Sequence, residues 1–141
     1  MCLLDEVLAW DATRIRCRSD SHRSCDNPLR AHGRLGAACG IEYAAQAMAV
    51  HGALIAASAP LERTMSTQVR GSLGATVGYL ASVRNVALAV SRLDDLDEEL
   101  IAAAERVTGD RRTVLYEFTV SSGARVLLSG RAGIVLDAAQ A

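Results

Sequence analysis

Lysine is absent from this 141-residue chain: all fifteen basic side chains are arginine, a bias that follows genome composition better than function. Net charge is nearly absent too, at −1, which argues against nucleic acid and against an anionic membrane surface as partners. No apolar run of the ~18 residues needed to cross a bilayer survives, because Glu42, Gln46 and His51 interrupt the one candidate. The N-terminus, MCLLDEVLAWD, has no basic region ahead of its apolar residues and no small-residue cleavage site, so it is not a signal peptide. The four cysteines, Cys2, Cys17, Cys25 and Cys39, form no C-x-x-C pair and no metal-like spacing with histidine. The expectation is a reducing cytoplasm with buried or incidental thiols, no metal and no other cofactor. A zinc site would need a chance convergence of His22, Cys25 and His32.

What is present is apolar. Half of the residues are hydrophobic, enough at this length for one core and not for two, so residues 1–141 read as a single soluble domain. Thr13 to Ser19 alternates strictly, with Arg14, Arg16 and Arg18 on one face and Ile15 and Cys17 on the other, and predicts a strand with one wet face. Asp20 to Gly36 is polar, carries Asn-Pro and holds no period, so it reads as an irregular loop of a length that often carries function. From about Ala37 to Ser58, alanine, leucine, isoleucine and methionine predict one helix. Its small residues, spread nearly all round, predict a buried central element. Pro60 stops it, and Leu61 to Val77 reads as a mobile loop.

Four strands follow, Tyr79 to Leu93, Glu99 to Val107, Arg112 to Ser121 and Arg125 to Leu136, separated by turn-rich DDLDE, TGD and SSG. The acidic turn Asp94 to Glu98 reads as solvated. With no further crossover helices a parallel sheet is excluded. The α+β solution is a curved antiparallel sheet wrapped around one long central helix, the hotdog fold.

On such a helix Glu42 is out of place. A helix-start carboxylate gains from the helix dipole and asks only for water, but a helix without a wet face pushes it into a partly dry place, where burial raises a carboxyl pKa and prepares a general acid. Gln46, one turn on, shares its face. His51, nine residues away, lies on the opposite face and reads as a satisfied core or interface histidine. A catalytic partner must come from the loop, where His22 and His32 are the candidates.

The order of strand, histidine-bearing loop with a proline, and helix opening with E-x-x-x-Q resembles the hotdog 3-hydroxyacyl-carrier-protein dehydratases of fatty-acid synthesis, whose helix reads E-x-x-A-Q. Glu42, Ala45 and Gln46 fall in that register. YLASVRNVAL (Tyr79 to Leu88) and SGRAGIVL (Ser129 to Leu136) are similar to two of the family's strands. MCLLDEVLAWD, NPLRAHGRLG and IEYAAQAMAVHG bring the chain closer to the offshoot associated with aryl polyene biosynthesis. Relatives carry a short segment ending P-H-x-G-x ahead of M-C-L-L-D, so the resemblance implies that Met1 is an internal start. It also implies His22 as the base that removes the α-proton of a 3-hydroxyacyl thioester and Glu42 as the acid that protonates the departing hydroxyl. Backbone N–H groups around Gly36 and Ala37 would polarise the thioester carbonyl, and Gln46 would orient the carboxyl group.

The implied partners are an acyl carrier protein thioester and a second hotdog chain, in a homodimer, a heterodimer or a larger assembly of dimers, because family members draw histidine and acid from different protomers. Arg14, Arg16, Arg18, Arg84 and Arg111 are candidates for docking an acidic carrier, although alternating arginines equally describe the wet face of a strand. Two features depart from the family pattern. Twenty residues separate His22 from Glu42, more than the family spacing, and Leu35-Gly36 stands where Pro-Gly is usual. Three other readings follow: a catalytically weak subunit that completes a composite site, a hotdog thioesterase, and an (R)-specific enoyl-CoA hydratase. The last is suggested by DNPLR (Asp26 to Arg30), where Arg30 stands in place of the catalytic histidine.

Overall fold

The computed structural model describes residues 2–58, 77–110 and 112–137. β1 (Glu6–Trp10) and β2 (Arg14–Ser19) form a hairpin, α1 (Gly40–Ala57) follows, and β3 (Val77–Leu88), β4 (Leu100–Gly109), β5 (Thr113–Ser122) and β6 (Arg125–Asp137) complete a six-stranded sheet. The order is β1-β2-β4-β5-β6-β3, with every neighbouring pair antiparallel. Helix α1 packs on β2, β4 and β5, which is the expected hotdog arrangement. The segment read as a mobile loop lies outside the described residues apart from Val77, which opens β3.

Period-two patterning sets which face of the sheet is dry. In β2, Ile15, Cys17 and Ser19 are buried while Arg14 and Arg16 are exposed; in β5, Val114, Tyr116, Phe118, Val120 and Ser122 point inward. Tyr43, Ala44, Ala47 and Met48 of α1 settle on this face together with Leu35, Leu93, Leu100, Leu127 and Leu128. Each large apolar side chain so buried contributes roughly 1.5–3 kcal/mol. The approach is close at Gly40, where an added Cβ would stand 2.5 Å from Leu128 Cδ2, so any side chain there would displace Leu128 from its place in the core.

Two expectations are corrected. β1 was not visible in the sequence: all five of its residues are exposed, and a register shift between Val7 and Ala9 breaks the alternation. The helix is also not covered all round. One sheet shields one side, and Glu42, Ala49, Gly52, Ala53 and Ala56 remain exposed along the other. At ~100° per residue, Glu42, Ala49, Ala53 and Ala56 fall on one stripe.

Strand β3 forms the edge of the sheet beside β6. It leaves Tyr79 (55% exposed), Leu80, Val86 and Leu88 (49%) in solvent, and a bulge between Arg84 and Ala87 holds Asn85 in the left-handed region at φ 56°. Long apolar edges of this kind are templates for pairing with another chain.

Candidate active site

Glu42 lies in the first turn of α1, which follows directly on a 3₁₀ turn at Ala37–Cys39. The carboxylate faces water in the protomer, so the dry environment read from composition is not supplied by this chain's own sheet. What the fold does supply is placement, since Glu42 is the charged residue of an outward stripe otherwise made of alanine and glycine. Gln46 Oε1 accepts the Leu3 N–H at 2.8 Å and ties the N-terminal segment to the helix. Of the backbone donors at the helix start, the Ala37 N–H is engaged by Ser91 O at 3.1 Å; with Leu93 N–H on Leu35 O at 2.8 Å this forms the bridge between Gly36 and Arg92 without using the Gly36 N–H.

His22 sits in a 3₁₀ turn, Ser21–Arg23, and is fully buried at 0% exposure. Its Nε2 lies 3.2 Å from Leu96 O, an atom that can only accept, so Nε2 carries the proton and the lone pair is on Nδ1. Among the described residues Nδ1 has no hydrogen-bond partner. Burial pushes the imidazole pKa below its ordinary value, opposed by the carbonyl of Leu96. The structure therefore contains a buried neutral imidazole with one unengaged basic nitrogen, and no hydrogen bond joins it to Glu42 of the same protomer.

His32 is a turn residue. With φ 55° at His32 and 78° at Gly33, and reciprocal bonds between Ala31 and Arg34, it occupies the tip of a type I′ hairpin and faces solvent. His51 is the satisfied core histidine expected, with Nδ1 2.7 Å from Tyr116 Oη and Nε2 2.8 Å from Asp11 O. No cluster of three metal-ligating side chains occurs among the described residues.

Three groups that the sequence reading missed hold the loop. Tyr43, fully buried on α1, has its hydroxyl 2.8 Å from Ser21 Oγ and 3.0 Å from Asn27 Nδ2. Asn27 also donates to Ser21 O at 2.8 Å. Asp94 receives both Nε and Nη2 of Arg92 (2.9 and 2.5 Å) and the Leu35 N–H (3.0 Å), with Arg30 at 3.7 Å. The Arg92 guanidinium holds the Asp94 carboxyl well below the usual carboxylate range. In the DNPLR motif, then, Asn27 and Arg30 are loop anchors and Asp26 faces solvent, which leaves no acid–base pair of the hydratase kind.

We expect Asp94→Ala to destabilise the fold by about 2 kcal/mol, chiefly by stripping the acceptor from the buried Leu35 N–H, as read from the urea midpoint. Because its folded pKa is depressed, the contribution is complete above the unfolded value of about 3.9 and disappears as pH falls through the folded one.

Two of the arginines proposed for docking are balanced. Arg14 pairs with Glu105 (3.4 Å), and Arg18 with Glu6 (2.8 Å), Asp20 (3.1 Å) and Glu99 (3.5 Å), as the wet face of a strand would be. Arg16 and Arg84 are exposed, and Arg111 lies outside the described residues.

The sheet and helix place the chain among the hotdog proteins, and comparison narrows this. Residues 1–140 match the model of the ApeP-like family, described as ApeP dehydratase, and the chain belongs to that family. No curated protein matches it. Among solved structures it is similar to the dehydratase heterocomplex ApeI:P from Xenorhabdus doucetiae, with a TM-score of 0.76 at 20% identity over 99% of this chain and 85% of that one. A mutant thioesterase from Staphylococcus aureus superposes with a TM-score of 0.62 at 11% identity, covering 93% of this chain and 91% of the other. A hypothetical thioesterase protein with coenzyme A from Streptococcus pneumoniae gives 0.58 at 14%, covering 94% and 87%. At these identities the likenesses establish the fold.

Proposed function

We propose that this chain acts with a second hotdog subunit to dehydrate a 3-hydroxyacyl thioester carried on acyl carrier protein to the trans-2-enoyl thioester, in a polyene-type or fatty-acid-like synthesis. The observation that carries this reading is the family match over residues 1–140 taken with the separation of the two candidate groups: Glu42 on the open stripe of α1 and His22 buried in its 3₁₀ turn. A second chain laid along that stripe and paired at β3 would remove Glu42 from water and form the acyl cleft between subunits. The similar dehydratase from Xenorhabdus doucetiae is a heterocomplex, which agrees with such a partner. Dehydration then needs three things. Neutral His22 takes the α-proton at Nδ1, Glu42 protonates the 3-hydroxyl as it leaves as water, and the N–H groups of Gly36 and Ala38 stabilise the enolate-like thioester oxygen. Arg16 and Arg84 are the sheet arginines left to meet an acidic carrier.

The enclosure of His22 favours a second reading, in which this chain contributes Glu42 to a composite site whose base belongs to the partner subunit. Hydrolysis of a thioester, as suggested by the thioesterase neighbours, would use Glu42 to activate water instead.

The outward helix stripe provides the test. Ala53→Arg alters an exposed position and should leave the protomer folded, yet it puts a guanidinium into a surface built for close approach. Native mass spectrometry should show the assembly reduced to monomer, with turnover down by at least about tenfold. An intact assembly with unchanged turnover would remove this face from the interface.

A further inference from the structure

Beyond the pair of catalytic candidates, the hydrogen bonds around Tyr43 have a direction. Asn27 Nδ2 can only donate, so Tyr43 Oη accepts from it at 3.0 Å and turns its own proton to Ser21 Oγ at 2.8 Å. Ser21 Oγ in turn donates to Leu3 O at 2.8 Å, an acceptor shared with the Ser19 hydroxyl. The chain of donors therefore runs one way, from Asn27 through Tyr43 and Ser21 to Leu3, and the Leu3 N–H closes it on Gln46. Asn27 is itself fixed, its Nδ2 on Ser21 O and its Oδ1 on the Leu29 N–H, each at 2.8 Å. Ser21, the residue before His22, is thus gripped at both its side chain and its carbonyl. On the far side, Arg23, the residue after, donates to Asp97 O at 2.7 Å, and Leu96 O holds Nε2.

We propose that Tyr43, with Asn27 and Ser21, is a positioning residue for His22: the hydroxyl relay fixes the 3₁₀ turn so that the imidazole keeps its proton on Nε2 and presents Nδ1 bare. The role in turnover rests on His22 being the base; the effect on the ring does not. Charged groups near the ring are few. Asp20 and Arg23 flank it on its own segment and are paired with each other at 2.9 Å. The facing turn meets it with the backbone of Leu96 and Glu98, both of which favour the charged ring, while the Asp97 and Glu98 side chains are exposed; from α1, Tyr43 reaches the turn through Ser21. The hydroxyl relay is a hold on the turn that can be removed without removing a charge.

The test is the imidazole itself, observed by ¹H–¹⁵N correlation in histidine-labelled protein, with the His22 signals assigned from His22→Ala. In the wild type we expect the Nε2–H tautomer. In Tyr43→Phe the turn loosens and water reaches the ring, so we expect a mixture of tautomers and a pKa raised by about half a unit or more. Ser21→Ala, which leaves the core aromatic in place, should do the same, and Ser21→Thr should restore the wild-type behaviour. Tyr116→Phe removes an equally buried hydroxyl, on His51, and should leave His22 unchanged. Identical His22 tautomer and pKa in wild type, Tyr43→Phe and Ser21→Ala would overturn the proposal. The acidic limb of kcat/KM separates the two ideas. If the ring titration moves in Tyr43→Phe while the limb stays, the positioning stands and His22 is not the base.

Discussion

Glu42→Gln is expected to lower the rate of enoyl formation by about 10³-fold while lowering the thermal midpoint by no more than about 4 °C. The size follows from the chemistry: hydroxide is a poor leaving group, and a positioned general acid contributes roughly 10²–10⁴-fold. Stability is spared because the side chain is exposed on α1 and no core contact depends on it. At the first turn of the helix, loss of the negative charge forfeits only the helix-dipole interaction, about 0.3–1 kcal/mol. Single-turnover kinetics beside a melting curve measure both quantities. Unchanged turnover would take Glu42 out of the mechanism.

His22→Ala and His32→Ala should differ sharply. For His22→Ala we expect a loss of about 10²–10³-fold, since the base is removed and the loop's other histidine, His32, stands at a solvent-facing turn. For His32→Ala we expect turnover within about twofold of the wild type, because the residue serves a solvent-facing hairpin tip. The pH dependence has a definite sign. A general base must be neutral, and burial depresses the folded pKa of His22. The acidic limb therefore lies below the ordinary histidine value of about 6.5 and activity falls as pH drops through it. The same depression makes His22 a source of stability above the unfolded value that fades as pH falls. Full turnover in His22→Ala would move the base to the partner subunit, and a costly His32→Ala would reassign it within the loop.

Much of this architecture could be read in advance, for identifiable reasons. Strict alternation in Thr13 to Ser19 located β2 because one face meets a core and the other water. The turn-forming residues in DDLDE and SSG placed the strand boundaries to within one or two residues of those observed for β4 and β6. The end of β3 was overestimated, since no Gly or Pro marks the point where Ala89 to Leu93 leaves the sheet to run beside the Leu35 segment. β1 escaped because an edge strand exposed on every residue has no pattern to show. Composition also misled on α1: alanine and glycine on all sides reveal that neighbours can come close, not which neighbours belong to the same chain. The relay through Tyr43, Asn27 and Ser21 spans separations of up to 22 residues and depends on tertiary closure, so no local period announces it. The one available signal was a lone tyrosine in a helix built largely of alanine and other small or aliphatic residues.

The measurement that bears most directly on the central claim is the intact mass of a carrier protein loaded with a 3-hydroxyacyl thioester after incubation with this chain in its native assembly. Loss of one water with the acyl group still attached to the carrier, dependent on Glu42, is the predicted result. Release of the free acid from the carrier, or water loss that proceeds equally well in Glu42→Gln, would contradict it.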